Sequence, residues 1–223
     1  MTYTVKEIFY TLQGEGAQAG RAAVFCRFSG CNLWSGREED RSRAVCQFCD
    51  TDFVGTGPDG GRFKSAKELA DAIDRCWTGD GRATGAPGAN ASAGVGKKYV
   101  VCTGGEPLLQ LDENLVSELH ERRFEVAVET NGTRPAPASL DWVCVSPKAG
   151  APLVQTTGSE LKLVYPQENA PPENFERLDF QNFFLQPMDG AETARNTELA
   201  IDYCLRHPRW RLSIQTHKLV GLR

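Results

Sequence analysis

The feature that most restricts the possible folds is a repeated pairing of a short apolar run with a polar or glycine-containing cluster that ends it. Strands are predicted at 3–9, 22–28, 99–102, 124–129, 142–145, 160–164, 182–185 and 210–214, and helices at 65–77, 112–122 and 191–205. Short apolar strands that alternate with helices are typical of a parallel α/β sheet. The alternating part has six or seven strands, too few for a closed eight-fold barrel. The sequence therefore predicts one α/β domain, residues 1–223, built as a partial (open) parallel β/α barrel.

The polar clusters that follow these strands are expected to form a ligand site. They lie at 29–31, 103–106, 129–132, 146–148, 186–189 and 215–218. In parallel α/β folds, ligands bind beyond the carboxyl ends of the strands. We therefore expect the clusters to converge on one mouth. Few residues follow the last strand, so we also expect the tail, 217–223, to cover the substrate and to bring the Arg223 terminus to it.

The composition argues against several classes of protein. The chain has 223 residues, of which 40% are hydrophobic and 24% charged, and its formal net charge is −4. This acidic excess gives no support for a nucleic-acid-binding surface, which needs clustered Lys and Arg. No apolar run approaches the roughly 18 residues of a membrane span, and the first residues lack the apolar core of a signal peptide. We expect a cytoplasmic protein with reduced thiols, no membrane or nucleic-acid partner, and a mobile Gly-, Ala- and Ser-rich insertion at about 78–96.

The eight cysteines fall into two groups. Five are isolated in apolar runs, where a free cysteine behaves as a small core side chain. These five are Cys26, Cys76, Cys102, Cys144 and Cys204. The other three, Cys31, Cys46 and Cys49, lie beside Gly, Asn, Gln and Asp, where a strand gives way to a loop. Their position beyond a strand end indicates a functional site.

Three interpretations of this second group remain open from the residues alone. A structural zinc site normally needs four Cys or His ligands, and the nearest histidine in the sequence, His120, lies on a distant predicted helix. A redox dithiol would use Cys46 and Cys49 and would leave Cys31 without a role. A 4Fe–4S cluster held by only three thiolates would leave one iron open for a ligand, as a chemically active site requires.

The cysteines and two other features resemble the radical S-adenosylmethionine (SAM) superfamily. In that superfamily three cysteines after the first barrel strand hold a 4Fe–4S cluster whose open iron binds SAM. Phe48 precedes the last cysteine, where an aromatic residue is common, and the run 103–107 resembles the glycine-rich strand end that receives SAM. The fourteen residues between Cys31 and Cys46 depart from the commonest superfamily spacing, in which three residues separate the first two cysteines.

A narrower resemblance covers nearly the whole chain. The runs at 12–16, 25–31, 49–51, 103–107, 129–132, 146–148 and 186–188 together are similar to the 7-carboxy-7-deazaguanine synthase family, in which some members have a long loop between the first two cysteines. The resemblance implies a lyase that converts 6-carboxy-5,6,7,8-tetrahydropterin to 7-carboxy-7-deazaguanine with loss of ammonia. It further implies catalytic use of SAM, a magnesium ion, a homodimer and a transient electron donor such as a flavodoxin-like protein.

The resemblance also implies roles for individual residues. The cluster ligands would be Cys31, Cys46 and Cys49, and Thr51 would bind magnesium. SAM would contact Phe48, Cys49, Asp50, Gly105, Ser146, Pro147, Lys148, Gln186, Pro187, Met188 and Asp189. The substrate would contact Leu12, Gln13, Gly14, Glu15, Arg27 and Thr103, and the position of the tail adds Arg223 to these substrate contacts. No catalytic residue is expected beyond the cluster and SAM, and Asp189 has an alternative role as a cap of the following helix.

Two alternative functions follow from the same residues. Another radical SAM enzyme, such as a glycyl-radical activase, would share the cluster and SAM site without needing the 12–16 loop or Arg27. A non-catalytic zinc or iron–sulfur protein would use the cysteines alone.

Overall fold

The structure, a computed structural model, describes residues 2–79 and 97–222, which form one nine-stranded sheet. The strands are β1 Tyr3–Leu12, β2 Ala22–Phe28, β3 Gly61–Phe63, β4 Lys98–Gly104, β5 Phe124–Thr130, β6 Trp142–Val145, β7 Thr157–Tyr165, β8 Asp179–Pro187 and β9 Trp210–Leu212. The predicted insertion lies outside the described residues from position 80 onward.

The strand order, β3-β1-β2-β4-β5-β6-β7-β8-β9, defines an open sheet whose parallel part runs from β2 to β9. This arrangement confirms the predicted open parallel α/β barrel. β1 pairs antiparallel with both β2 and β3. The sequence reading did not give these antiparallel pairings. A short return loop can join antiparallel neighbours, whereas parallel neighbours need a longer crossover, so the short connection between β1 and β2 accounts for their orientation.

Four α-helices are present in the described residues: α1 Ala66–Thr78, α2 Glu113–Glu121, α3 Thr193–Arg206 and the short α4 Thr216–Val220. The predicted start of α1 is confirmed, because the Ser65 side chain accepts a hydrogen bond from the Glu68 amide. Between β5 and β8 the connections contain no α-helix, only a 3₁₀ turn at Pro172–Asn174. None of the helices within 2–79 and 97–222 has the length and apolarity to cross a membrane.

The core lies mainly between the sheet and its helices. One buried cluster joins α1 and α2 to β1, β2, β4 and β5, and a second joins α3 to β7, β8 and β9. Along β2, Val24, Cys26 and Phe28 face the first cluster, whereas Phe25 and Arg27 line a cavity on the other face. This alternation matches the period of a strand. The face of the sheet that carries Phe25 and Arg27 is therefore available to form a site.

The isolated cysteines pack as predicted. Cys26, Cys102 and Cys144 are fully buried, and Cys76 and Cys204 pack against the two helix-covered clusters. Burial raises the pKa of Cys102 to about 12. A thiol with so high a pKa stays protonated and unreactive.

Candidate active site

The carboxyl ends of the strands surround a cavity of about 430 Å³. Most of the predicted site residues line it: Leu12, Gln13, Gly14, Glu15, Arg27, Cys31, Cys46, Phe48, Cys49, Asp50, Thr51, Thr103, Gly105, Ser146, Lys148, Gln186, Pro187 and Asp189. Pro147 and Met188 do not line it, and Arg223 lies outside the described residues. The predicted convergence of the strand ends on one mouth is confirmed.

Three cysteines line one side of this cavity. Cys31 follows β2, and its sulfur accepts a hydrogen bond from the Leu33 amide at 3.4 Å. A hydrogen bond from the Cys46 thiol lowers the pKa of Cys49 to about 6, and a backbone hydrogen bond from Thr51 acts in the same direction. The described residues contain no group of three or more His, Cys, Asp or Glu side chains preassembled around a single ion.

The glycine-rich end of β4 packs tightly against the start of the cysteine loop, residues 30–50. A Cβ atom at Gly105 would collide with the Gly30 carbonyl and Cys31, and a Cβ at Gly104 would collide with the backbone of Phe28. These close contacts give both glycines a packing role, since the glycine-rich strand end and the cysteine loop are in direct contact. Both glycines also line the cavity, and the expected contact of Gly105 with SAM stays a prediction.

Glu106 links three of the polar clusters, although the sequence reading assigned it no role. Its side chain is fully buried and accepts hydrogen bonds from the Thr130 hydroxyl at 2.8 Å and from the Asn131 and Leu108 amides at 2.8 and 2.9 Å. Its own amide donates to Gly30 at 2.9 Å. A buried carboxylate needs such partners. Glu106 therefore fixes the ends of β4 and β5 and the cysteine loop relative to one another.

A cluster of buried and partly buried charges lines the cavity. The Lys162 ammonium donates to the carboxylates of Glu15 and Glu129. Burial lowers the pKa of Lys162, but these two carboxylates outweigh it and hold that pKa well above its usual value. Lys162 carries one positive charge against two negative ones. The cluster therefore presents a net negative charge to the cavity.

The loop 13–16 is attached to this cluster by several hydrogen bonds. The side chains of Gln186 and Gln215 donate to Glu15 at 3.3 and 3.0 Å, and Gln13 donates to Glu129 at 2.9 Å. The Gly16 amide donates to the Ser213 hydroxyl at 2.9 Å. Although β1 and β9 are far apart in the sheet, the loop after β1 is thus anchored to strands β5, β7, β8 and the end of β9.

Lys162 and Glu129 were absent from the predicted site residues. A signal for Lys162 was present in the sequence, because it is a charge between Leu161 and Leu163 in the apolar part of a strand, whereas Glu160 stands at the start of the predicted strand. The same kind of signal identified Arg27 in β2. Glu129 belongs to a recognised polar cluster, but its partner could not be assigned from the sequence. Both residues line the cavity.

Arg27 lies on the wall formed by β2 and β4. It is the register partner of Thr103, and its Nε donates to the Glu7 carboxylate at 2.8 Å. The rings of Phe9 and Phe25 stack beside it with centroids 5.5 Å apart. A guanidinium held this way can bind a carboxylate with two parallel hydrogen bonds. A flat ring would find an apolar wall next to that charge.

Lys148 points into the site and is not a solvated surface charge. Its ammonium donates to the Ser146 carbonyl and hydroxyl at 2.8 and 2.6 Å and lies 5.9 Å from the centre of the Phe48 ring. Burial lowers the pKa of Lys148. The buried Gln167, which sequence reasoning missed, donates to the Pro147 carbonyl at 3.2 Å. Pro147 thus supports the loop from behind the cavity.

The C-terminal segment reaches the cavity through α4. Lys218 donates to Asp50 of the cysteine loop and to Asp189 after β8, both at 2.6 Å. Asp189 is not the cap of α3, because Glu192 occupies that position; Asp189 accepts instead from Lys218 and the Thr193 hydroxyl. α4 therefore closes one edge of the cavity, where the sequence placed the tail.

No family model matches the chain. The chain is 63% identical over 223 residues to the 7-carboxy-7-deazaguanine synthase of Caulobacter vibrioides and 59% identical over 223 residues to that of Burkholderia multivorans, with both chains covered completely in each case. Among solved structures it is similar to QueE from Escherichia coli, with a TM-score of 0.67, 26% identity, and coverage of 96% of this chain and 94% of that chain.

Proposed function

Because this chain belongs to the 7-carboxy-7-deazaguanine synthase family, we propose that it converts 6-carboxy-5,6,7,8-tetrahydropterin to 7-carboxy-7-deazaguanine with loss of ammonia. The observation that carries this proposal is the cavity at the carboxyl ends of the strands. Its lining combines three cysteines with Arg27 and the Glu15 loop. A glycyl-radical activase would need the cysteines but has no use for Arg27 or this loop.

Cys31, Cys46 and Cys49 would hold the 4Fe–4S cluster. They offer three soft sulfur ligands in one cavity, and backbone amides donate to the sulfurs of Cys31 and Cys49. Hydrogen bonds to sulfur are a means by which proteins stabilise and tune such clusters. When bound, the cluster and SAM supply the radical that starts the reaction. Lys148, Ser146 and Gln186 line the adjoining space and would bind SAM.

Other residues that line the cavity would orient the substrate. Arg27 would bind the substrate carboxylate, and the stacked Phe9 and Phe25 rings would support the flat pterin. Glu15 and Glu129 would accept hydrogen bonds from the amino-pyrimidine edge, which carries donors complementary to carboxylates. Because Lys162 holds both carboxylates in place, the substrate would meet a fixed array rather than flexible side chains.

Thr51 would offer its hydroxyl to a magnesium ion. Magnesium prefers oxygen ligands and commonly keeps few from the protein. Thr51 lies directly after the cysteine loop and lines the same cavity. Substrate oxygens would complete the coordination of an ion at this position.

We further propose a cytoplasmic homodimer that receives electrons from a flavodoxin-like protein. The eight cysteines are all free thiols. A reducing compartment keeps them in that state. The family resemblance supports the dimer and the electron donor.

Anaerobic reconstitution tests the proposed function. We expect about four irons per chain, SAM cleavage on reduction, and formation of the deazaguanine when carboxytetrahydropterin is added. A Cys49→Ser variant, which lacks one of the three sulfur ligands, should lose the cluster spectrum and the product. A Cys204→Ser variant, changed on α3 away from the cavity, serves as the control and should retain both. Colourless wild-type protein with one tightly bound zinc would reject the proposal.

Lys218→Met is expected to raise the substrate KM about fivefold with a smaller change in kcat. The substitution removes two partly exposed ion pairs that hold α4 to the cysteine loop and to β8, and such pairs contribute up to about 1 kcal/mol each. Lys67→Met, which removes a surface pair on α1, is the matched control. Steady-state kinetics with an unchanged KM in Lys218→Met would show that α4 does not close the site.

A further inference from the structure

The fourteen residues between Cys31 and Cys46 fold into a compact structure centred on Arg41. A 3₁₀ helix, Glu38–Arg43, occupies the middle of this segment. From it, the Arg41 guanidinium turns back toward the cysteines. Its Nη1 donates to the carbonyls of Gln47 and Cys49 at 2.9 and 3.0 Å. Both carbonyls belong to the Cys46–Cys49 loop.

Arg41 is itself held from two other directions. Its Nε donates to both oxygens of Glu38, at 2.7 and 2.8 Å, and its guanidinium carbon lies 4.1 Å from the centre of the Trp34 ring. Trp34 is buried against Phe53, with ring centroids 5.6 Å apart. The guanidinium is therefore a fixed donor, since cation–π contact and a two-oxygen ion pair both restrain it.

Arg41 differs from the neighbouring arginines of the same segment. Its side chain is 28% exposed, whereas the side chains of Arg37 and Arg43 are 72% and 82% exposed. Arg43 forms an ion pair with Asp40 on the surface of the helix. The segment thus places one arginine against the Cys46–Cys49 loop and leaves the others in solvent.

We propose that Arg41 is a positioning residue that shapes the Cys46–Cys49 loop so that its two sulfurs face Cys31. A hydrogen bond to the Gln47 carbonyl fixes the peptide plane before Phe48, and one to the Cys49 carbonyl fixes the peptide plane after Cys49. Together they restrain the two residues between these planes, and so restrain where the Phe48 ring and the Cys49 sulfur point. A loop without regular structure has no backbone ladder to do this. The inference rests on the proposed cluster site and adds a residue to it.

This role gives the long segment a purpose beyond joining two ligands. An arginine can reach carbonyls in a Cys-x-x-Cys loop from the outside only if the chain first travels away and then returns. The 3₁₀ helix and the Leu33 carbonyl, which accepts from the Val45 and Cys46 amides at 3.1 and 3.4 Å, provide that return. A short connection between the first two cysteines could not place an arginine at these two carbonyls.

The test compares Arg41→Met, Arg41→Lys and the matched control Arg43→Met after anaerobic reconstitution of the full chain. The readouts are iron per chain, the electron paramagnetic resonance spectrum of the reduced protein with and without SAM, and the rate of iron release to a chelator. We expect Arg41→Met to release iron about tenfold faster than wild type, because both charge-assisted hydrogen bonds to the loop carbonyls are lost. Its spectrum should be broadened, because the cluster environment is no longer unique.

Two further variants test whether the effect depends on the location of the arginine and on its planar guanidinium. Arg43→Met should behave like wild type, and Arg41→Lys should fall between wild type and Arg41→Met, because an ammonium keeps the charge but not the planar fork. Equal iron release from Arg41→Met and wild type would overturn the proposal, as would equal effects of Arg41→Met and Arg43→Met. If Arg41→Met does not fold, wild-type release from Arg41→Lys is the overturning result. Failure of wild-type chain to bind iron would instead reject the proposed cluster site.

Discussion

Lys162→Met is expected to lower the free energy of unfolding by about 3–5 kcal/mol, the cost of removing one partner from a buried ion pair. Lys162 has a side chain 5% exposed, and it is the cation between Glu15 and Glu129. Methionine fills a similar volume but leaves two carboxylates close together without a counter-charge. Urea denaturation of the cluster-free protein measures this change.

Lys162→Met should also reverse the direction in which the Glu15 contribution to stability changes with pH. In the wild type, burial raises the pKa of Glu15, but the lowering effects of Lys162 and Gln215 together are larger, so the net shift of this pKa is downward. The stabilisation by Glu15 is then present above its unfolded pKa of about 4.3 and is lost as the pH falls through the lower folded pKa. Without Lys162, burial dominates and the folded pKa rises. The variant should therefore become more stable as the pH falls through that raised pKa, the opposite of the wild type.

The same substitution should reduce product formation by about 100-fold or more, because small displacements of positioning groups can cost that much. Lys98→Met is the matched control. It removes an ion pair with Asp74, whose side chains are 27% and 33% exposed, away from the cavity. It should cost about 1 kcal/mol or less and leave activity unchanged. A Lys162→Met protein with wild-type stability at neutral pH would contradict the description of a buried charge cluster.

Lys162 also illustrates what the sequence could and could not predict. The strand that contains Lys162 was recognised from its apolar run, and the convergence of the strand ends follows from the geometry of parallel sheets. The partners of Lys162 are 147 and 33 residues away in sequence. No local pattern encodes such distances. The sequence could therefore indicate that Lys162 is unusual, but it could not identify Glu15 and Glu129 as its partners.

The parts of the fold that resisted prediction have a common physical reason. The orientation of β1 and the link from Lys218 to Asp50 and Asp189 both depend on which distant segments pack together. Propensity and periodicity report on neighbours within about one or two helical turns. By contrast, Arg27 could be placed because strand alternation alone sets it on the face opposite Cys26.

Arg27→Gln is expected to lower kcat/KM for the carboxylated pterin by roughly 10- to 100-fold, with most of the change in KM. A hydrogen bond to a charged group contributes about 1.5–3 kcal/mol, and tenfold in affinity corresponds to about 1.4 kcal/mol. Glutamine can still donate one hydrogen bond, but it cannot match the planar fork or the positive charge. Arg27→Lys should recover only part of the loss, because an ammonium lacks the paired donors.

Two comparisons decide whether this loss reflects recognition of the substrate carboxylate. Arg21 also forms an ion pair, with Glu125 at 2.9 Å, but it does not line the cavity. Arg21→Gln should therefore leave the KM unchanged. A pterin analogue without the carboxylate should bind wild type and Arg27→Gln with similar affinity, since the group that Arg27 contacts is missing. If Arg27→Gln weakened both ligands equally, Arg27 would act by shaping the wall with Glu7 and Phe9, and the carboxylate would be bound elsewhere.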